Sequence, residues 1–126
     1  MTYAYAVCTG EEVDVTDLDV TVRFNEAAGP TAATTGPKNT VGCSGEDGEL
    51  ISGGAAISGG GVTSVSFTSP GSQGDRLNGT YPSDGSANPA SDATSPTYWT
   101  AYTHTGGSSS PDTYTDVWAL CADDGV

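Results

Sequence analysis

The sequence predicts an all-β protein, a single antiparallel domain of about seven or eight short strands without significant helix, arranged as a sandwich, prism or compact barrel. Two segments at opposite ends, residues 4–8 (AYAVC) and 117–121 (VWALC), alternate with the period of a strand and close on a cysteine. Helix signals are missing, because 18 Gly and 7 Pro accompany polar positions dominated by Thr and Ser.

The N-terminal half contains predicted strands at residues 2–8 and 13–24. In the second of these, Val13 and Val15 share one parity and the apolar residues from Leu18 to Phe24 take the other, which predicts a β-bulge or a break between them. A further strand begins at Leu50. Its glycine pairs indicate that it bends sharply or lies under a close-packed neighbour.

The C-terminal half is predicted to contain a long loop between strands. Residues 62–67 alternate as a strand does, whereas residues 70–96 consist almost entirely of turn-forming residues, and a loop of this length is usually functional or mobile. Residues 97–104 form the next predicted strand. Residues 113–121 are expected to pair back on it as the second strand of a hairpin.

Composition limits the size of the core and the class of partner. The 126 residues include only 18 Leu, Ile, Val and Phe, so a thin-cored domain that needs covalent help is expected. Sixteen Asp and Glu against three Lys and Arg give a net charge of −13, which argues against nucleic acid and anionic membrane surfaces as partners. No apolar stretch approaches the length of a membrane span, so we expect no membrane insertion.

Three cysteines allow three different single disulfides, each leaving one thiol over. We favour Cys43 with Cys121, because the terminal strand needs an anchor and Cys43 opens the glycine-rich region. Cys8 with Cys43 is the second choice. In the favoured pairing Cys8 is unpaired, has lost a partner cysteine upstream, or is paired between chains. The cysteines and the scarcity of Lys indicate a secreted, extracellular protein.

Several of these residues carry a resemblance to a protein family. Cys43, the run LISGGA at residues 50–55, Trp99 and the closing VWALC resemble a pattern in secreted, glycine-rich β-proteins of actinobacteria. Where that family usually opens with Cys-Pro-x-Gly, this chain has Cys43-Ser44-Gly45. The resemblance implies a secreted bacterial β-fold and favours the Cys43–Cys121 pairing, and it implies little about activity.

The sequence contains no convincing catalytic arrangement. His104 is the only histidine, so it would have to serve any Ser/His/Asp triad, with Asp112 and Asp116 near it in the chain, yet no nucleophile motif accompanies it. Paired carboxylates suitable for glycoside hydrolysis lack an apolar pocket that would raise the pKa of one of them. We therefore expect that the protein is not an enzyme and has no obligatory cofactor.

Two kinds of ligand remain as candidates. Asp14, Asp17 and Asp19 supply clustered oxygen ligands of the type that Ca²⁺ prefers, although their spacing matches no EF-hand. Tyr98 and Tyr102 share one strand face and are expected to continue with Tyr114 across the hairpin, and tyrosine rings stack on sugar faces.

The function predicted from sequence is an extracellular structural or adhesive interaction module. It would dock a partner protein or join a secreted assembly, with its acidic surface and the loop at residues 70–96 forming the contact. Exposed strand edges suit such assembly. The alternative is a carbohydrate-binding module that uses exposed tyrosines.

Overall fold

A computed structural model of the chain describes residues 19–30, 36–60, 62, 66, 75–92, 94–105 and 113–123. These residues form six β-strands and no helix, as the sequence predicts. The strands are β1 (Asp19–Ala28), β2 (Lys38–Gly42), β3 (Glu49–Ser58), β4 (Asp75–Ser83), β5 (Tyr98–Thr105) and β6 (Tyr114–Asp123). The predicted strands at residues 2–8 and 62–67, and the predicted break before Leu18, lie wholly or largely outside the described residues.

The six strands make two separate antiparallel sheets of three strands each, which are not closed into a barrel. Sheet A has the order β1-β6-β3 and sheet B has the order β2-β5-β4. The described strand number is slightly below the predicted seven or eight. The C-terminal strand β6 lies at the centre of sheet A because it pairs with β1 on one side and with β3 on the other.

The core forms where β6 faces sheet B. Alternate residues of β6 are completely buried: Thr115, Val117, Ala119 and Cys121. Ala119 and Cys121 pack with Leu50, and partly buried Val41 and Trp99 close this cluster. Small side chains on β6 therefore let the sheets approach, as expected for a chain with so few large aliphatic residues.

Hydrogen bonds between the sheets supplement this small apolar core. The Thr103 and Thr115 hydroxyls lie 2.8 Å apart, and one of them donates to the other. Buried Asn39 donates from Nδ2 to the Thr115 carbonyl at 2.7 Å and to the Asn25 carbonyl at 3.0 Å. Its own Oδ1 accepts from Asn25 Nδ2. These bonds satisfy polar groups that would otherwise destabilise a buried interface.

Gly53 shows why β3 is rich in glycine. A Cβ atom on Gly53 would lie 2.2 Å from Trp99 Cγ and 2.7 Å from the Trp118 carbonyl oxygen. The Trp99 ring therefore packs directly on the β3 backbone. This confirms that the glycine-rich strand lies under a close-packed neighbour.

Two expectations about the C-terminal half are wrong. The region at residues 70–96 is not one long loop, because β4 occupies Asp75–Ser83 and pairs with β5. The turn-forming pair Asn78-Gly79 coincides with an irregularity in register between Leu77 and Gly79, and pairing continues on both sides of it. β5 and β6 are not a hairpin either, since they belong to different sheets.

Candidate functional site

Tyr98 and Tyr102 lie on the outer face of sheet B, the face turned away from sheet A. The alternation of β5 places Thr103 toward sheet A and the two tyrosines on the opposite side, as the sequence predicts. Tyr98 is 36% exposed and Tyr102 is partly buried. Tyr114 does not join them. It lies in sheet A, where a Cβ atom on Gly60 would contact its ring.

The Tyr98 ring is held between two glycines. A Cβ atom at Gly42 would lie 2.5 Å from Tyr98 Cδ1, and one at Gly85 would lie 3.2 Å from Tyr98 Cζ. Gly42 and Ser83 are the residues opposite Tyr98 on the two neighbouring strands. Contact from both sides fixes the orientation of a ring that still keeps part of its surface in solvent.

The turn after β4 folds over this face of sheet B. The Asp84 carboxylate accepts hydrogen bonds from the backbone N–H groups of Ser86 (2.8 Å) and Asn88 (2.9 Å) and from Asn88 Nδ2 (2.9 Å). The bonds from Asn88 are the main cause of a lowered pKa at Asp84. Buried Ala87 has a positive φ of 62°, a conformation that non-glycine residues rarely adopt.

Two side chains of the sheet hold that turn in place. The Ala87 carbonyl accepts from Lys38 Nζ at 3.0 Å and from the Tyr81 hydroxyl at 3.2 Å. Beside the turn lies a cavity of about 240 Å³, lined by hydroxyl, proline and carboxylate groups of residues 83–97, including Asp84, Ser91 and Thr94.

Sequence reasoning missed the basic side chains on this face. Lys38 lies opposite Tyr102, and Arg76 lies opposite His104, so these three of the four basic side chains of the protein share the outer face of sheet B. The parity of β5 gives the side of His104. The placement of Lys38 and Arg76 depends on strand pairing, which their local sequence does not specify.

The outer face of sheet A carries a row of apolar side chains along β1 and β6. Val20 (48% exposed) and Val22 (44% exposed) lie opposite Ala122 and Leu120. The row continues to Phe24 and Trp118, whose ring centroids are 5.1 Å apart. Acidic side chains flank the solvent-exposed end of the row: Asp19, Glu49 and Asp123.

Two carboxyl groups occupy the other end of this outer face. Glu26 and Asp116 lie directly opposite each other, and Asp116 is completely buried. Neither Asp116 oxygen has a hydrogen-bond partner of normal geometry among the described residues. Burial is the main cause of a raised pKa at Asp116; the Ser58 hydroxyl acts against this shift and the Glu26 carboxyl adds to it.

A disulfide bond joins Cys43 to Cys121, which is the pairing that the sequence favours. Cys43 directly follows β2 in sheet B and Cys121 lies in β6, so the bond connects the two sheets.

Next to the disulfide, the Arg23 guanidinium forms a bidentate ion pair with Asp47. The Asp47 carboxylate also accepts hydrogen bonds from the Ser44 hydroxyl and backbone N–H. These donors lower the pKa of Asp47 far below its usual value. Cys8 lies outside the described residues.

The predicted calcium ligands are only partly described. Asp19 begins β1 opposite Asp123, whereas Asp14 and Asp17 lie outside the described residues. Within the described ranges, no group of three or more His, Cys, Asp and Glu side chains is arranged to hold a metal ion. Asp116 does not approach His104 to build a triad, because the two lie on the outer faces of different sheets.

Comparison with known proteins adds no relative: no family model, curated protein or solved structure matches this chain. Among the residues that the structure describes, no helix is long and apolar enough to cross a membrane.

Proposed function

We propose that this protein is an extracellular interaction module that docks a partner protein through the outer face of sheet A. The observation that carries this proposal is the apolar row that begins with half-exposed Val20 and Val22 on β1. In the described structure β1 pairs with one strand only, so it is an edge of sheet A. An edge strand with exposed valines offers both main-chain hydrogen bonds and apolar surface to a partner.

The charges around the row restrict the partner. Asp19, Glu49 and Asp123 are exposed beside the valines, and the chain as a whole carries a net charge of −13. A second copy of the same acidic surface would be repelled. The fitting partner is a protein with a short apolar segment flanked by Lys or Arg, since opposite charges steer association and exclude other proteins.

The disulfide supports an extracellular location for this module. Disulfides persist in oxidising compartments and are rare in the cytosol of mesophiles. We also propose a secreted bacterial origin, which the resemblance implies; the Cys43–Cys121 bond is compatible with it.

Replacing both valines by threonine tests the docking surface, because threonine keeps the β-branched shape and removes apolar contact. We expect the double change Val20→Thr and Val22→Thr to weaken capture of a basic partner from the source's extracellular proteins, and to lower the affinity for the purified partner by about tenfold, or about 1.4 kcal/mol. Quantitative mass spectrometry identifies the partner and calorimetry then measures the affinity.

Leu77→Thr is the matched control, because Leu77 is 39% exposed but lies in sheet B. The control should bind like the wild-type protein. If the double variant retains the same proteins at the same affinity as wild type, the outer face of sheet A is not the docking surface.

Carbohydrate binding is the second candidate function, favoured by the two tyrosines on the outer face of sheet B. Tyr98 is partly exposed and held in one orientation by Gly42 and Gly85. Tyr102 lies four residues further along the same strand, roughly 13 Å away at the usual rise per residue. Two such rings on one face suit an extended sugar chain, and either Tyr98→Ala or Tyr102→Ala should lower glycan affinity.

A further inference from the structure

The outer face of sheet B concentrates the basic side chains of a strongly acidic protein. The chain has only three Lys and Arg residues and one His. Arg23 is neutralised by Asp47 beside the disulfide. The other three basic side chains, Lys38, Arg76 and His104, lie on the outer face of sheet B around Tyr102.

Arg76 and Lys38 have N–H hydrogen-bond donors that remain available to a ligand. Arg76 is exposed and forms no ion pair among the described residues. Lys38 is exposed as well, and its bond to the Ala87 carbonyl uses one of the three N–H donors of an ammonium group. Asp84 is the carboxylate whose pKa Lys38 helps to lower, and its oxygens already accept three hydrogen bonds within the turn.

The spacing of rings and charges follows the strand. Tyr98 and Tyr102 lie on the same face. Lys38 is opposite Tyr102, and Arg76 is opposite His104, two residues further along β5. Directly opposite residues on antiparallel strands have Cβ atoms about 5 Å apart, and diagonal neighbours about 7–8 Å. The Cβ atoms of Lys38 and Tyr102 are therefore about 5 Å apart, so one sugar chain can contact the Tyr102 ring and the Lys38 ammonium group through neighbouring groups.

We propose that the outer face of sheet B binds an acidic polysaccharide, a chain of uronic acid residues whose rings stack on Tyr98 and Tyr102 and whose carboxylates pair with Arg76 and Lys38. This inference rests on the carbohydrate-binding candidate function and names its ligand class. Arginine pairs with carboxylates through two parallel hydrogen bonds, which gives this contact directional specificity.

The net charge of the protein does not exclude an anionic ligand on this face. The exposed carboxylates Asp19, Glu49 and Asp123 belong to sheet A, whereas exposed Asp84 and Asp92 lie in the segment after β4. The Asp84 carboxylate is near Lys38, and its oxygens already accept three hydrogen bonds within the turn. At physiological ionic strength, charges further apart than about 8 Å are largely screened. Arg76, which forms no ion pair among the described residues, therefore supplies most of the local attraction for an anionic ligand, and Lys38, with Asp84 nearby, adds less. A nucleic acid would instead bring a phosphate charge at every nucleotide.

The test compares each uronic acid oligomer with its uncharged methyl ester. Oligomers of galacturonate, glucuronate and mannuronate, and the methyl ester of each, are titrated into the full chain by calorimetry. We expect at least one free acid to bind about tenfold more tightly than its ester, and this difference to disappear in about 1 M salt, where the Debye length is about 3 Å. Because the chain has a single histidine, the imidazole NMR signals of His104 should shift with the free acid.

Three variants assign the binding to this face. Arg76→Gln should weaken the free acid about fivefold and leave the ester unchanged, and Tyr102→Ala should weaken both ligands. Ser52→Asp is the matched control: it makes the same change in net charge as Arg76→Gln at an exposed position of sheet A, and it should bind like wild type.

The outcomes separate the two proposals. If acid and ester bind equally, the acidic ligand class is wrong and carbohydrate binding remains. If neither binds, both the ligand class and the carbohydrate function are wrong. If the acid binds but His104 signals do not move and Arg76→Gln has no effect, the site is not the outer face of sheet B.

Discussion

When the carboxyl group of Asp116 is charged, it lowers the stability of the folded protein. It is completely buried, faces Glu26, and lacks a hydrogen-bond partner of normal geometry in the described part of the chain. Burial raises its pKa in the folded state above the unfolded value. The folded protein therefore holds this proton more tightly, so the stability linked to Asp116 is full below about pH 4 and is lost as the pH rises through the folded pKa.

Asp116→Asn should therefore stabilise the protein at neutral pH. We expect the free energy of unfolding at pH 7 to rise by about 1–2 kcal/mol, because the amide carries no charge and can donate to Glu26. Urea unfolding at pH 7 and at about pH 4 measures this, and the gain should be much smaller at the lower pH. Asp92→Asn, at an exposed carboxylate, is the control. A loss of stability at pH 7 would show that the charged form is favoured.

Asp47 has the opposite pH dependence. The hydrogen bonds from Arg23 are the main cause of its lowered pKa, and those from Ser44 add to it. Stability from this carboxylate is therefore present above the unfolded pKa and is lost as the pH falls toward the folded one. Asp47 and Asp116 together favour a stability maximum on the acidic side of neutrality.

At the scale of elements, β3 depends on having no side chain at one position. The Trp99 ring occupies the space where a Cβ atom on Gly53 would lie. We expect Gly53→Ala to lower the free energy of unfolding by about 2–3 kcal/mol through overpacking, as measured by urea denaturation.

The neighbouring glycine supplies the control. A Cβ atom on Gly54 would have no heavy atom within 4 Å, so Gly54→Ala should have little or no destabilising effect. Equal losses for the two variants would mean that backbone freedom, and not contact with Trp99, explains the glycines of β3.

The alternating pattern in the sequence correctly predicted which residues share a face of β1 and of β5. It did not predict which strands pair with each other. The parities of β5 and of Val20, Val22 and Phe24 follow directly from period-two patterns, and the structure confirms them. β4 was missed because Asn78-Gly79 is a turn signal in most settings, whereas here pairing with β5 overrides it. The expected β5–β6 hairpin failed because closeness in sequence does not decide which sheet a strand joins.

The candidate site was predictable to a similar extent. Tyr98 and Tyr102 share a strand, so their common face could be derived from local sequence. Arg76 and Lys38 come from two other strands and meet β5 only through register. Tyr114 was misplaced for the same reason. The burial of Asp116 is a property of packing that no pattern in β6 indicates.

At the scale of the whole molecule, a disulfide bond cross-links the two described sheets. Cys43 and Cys121 are 78 residues apart in sequence, and a cross-link that closes a loop of this size stabilises a fold by about 4 kcal/mol in the chain-entropy model. The double change Cys43→Ser and Cys121→Ser should lower the free energy of unfolding by about that amount, measured by thermal and urea unfolding.

Two further measurements make that experiment decisive. A reducing agent should destabilise the wild-type protein and leave the double variant unchanged. Cys8→Ser should keep the wild-type stability and the same response to reduction. Equal stability of wild type and the double variant would show that noncovalent contacts alone hold the sheets together.

The threonine and asparagine contacts between the sheets have a consequence for the heat capacity of the protein. Thr103 and Thr115, which bond between the sheets, are fully buried, as is Thr100, which bonds within sheet B, and Asn39 is nearly buried. Unfolding therefore exposes a large share of polar surface. Apolar exposure raises the heat capacity of unfolding and polar exposure lowers it. The curve of stability against temperature should therefore be flatter than the usual value of about 12–15 cal/mol/K per residue implies, and the fold should lose little stability in the cold.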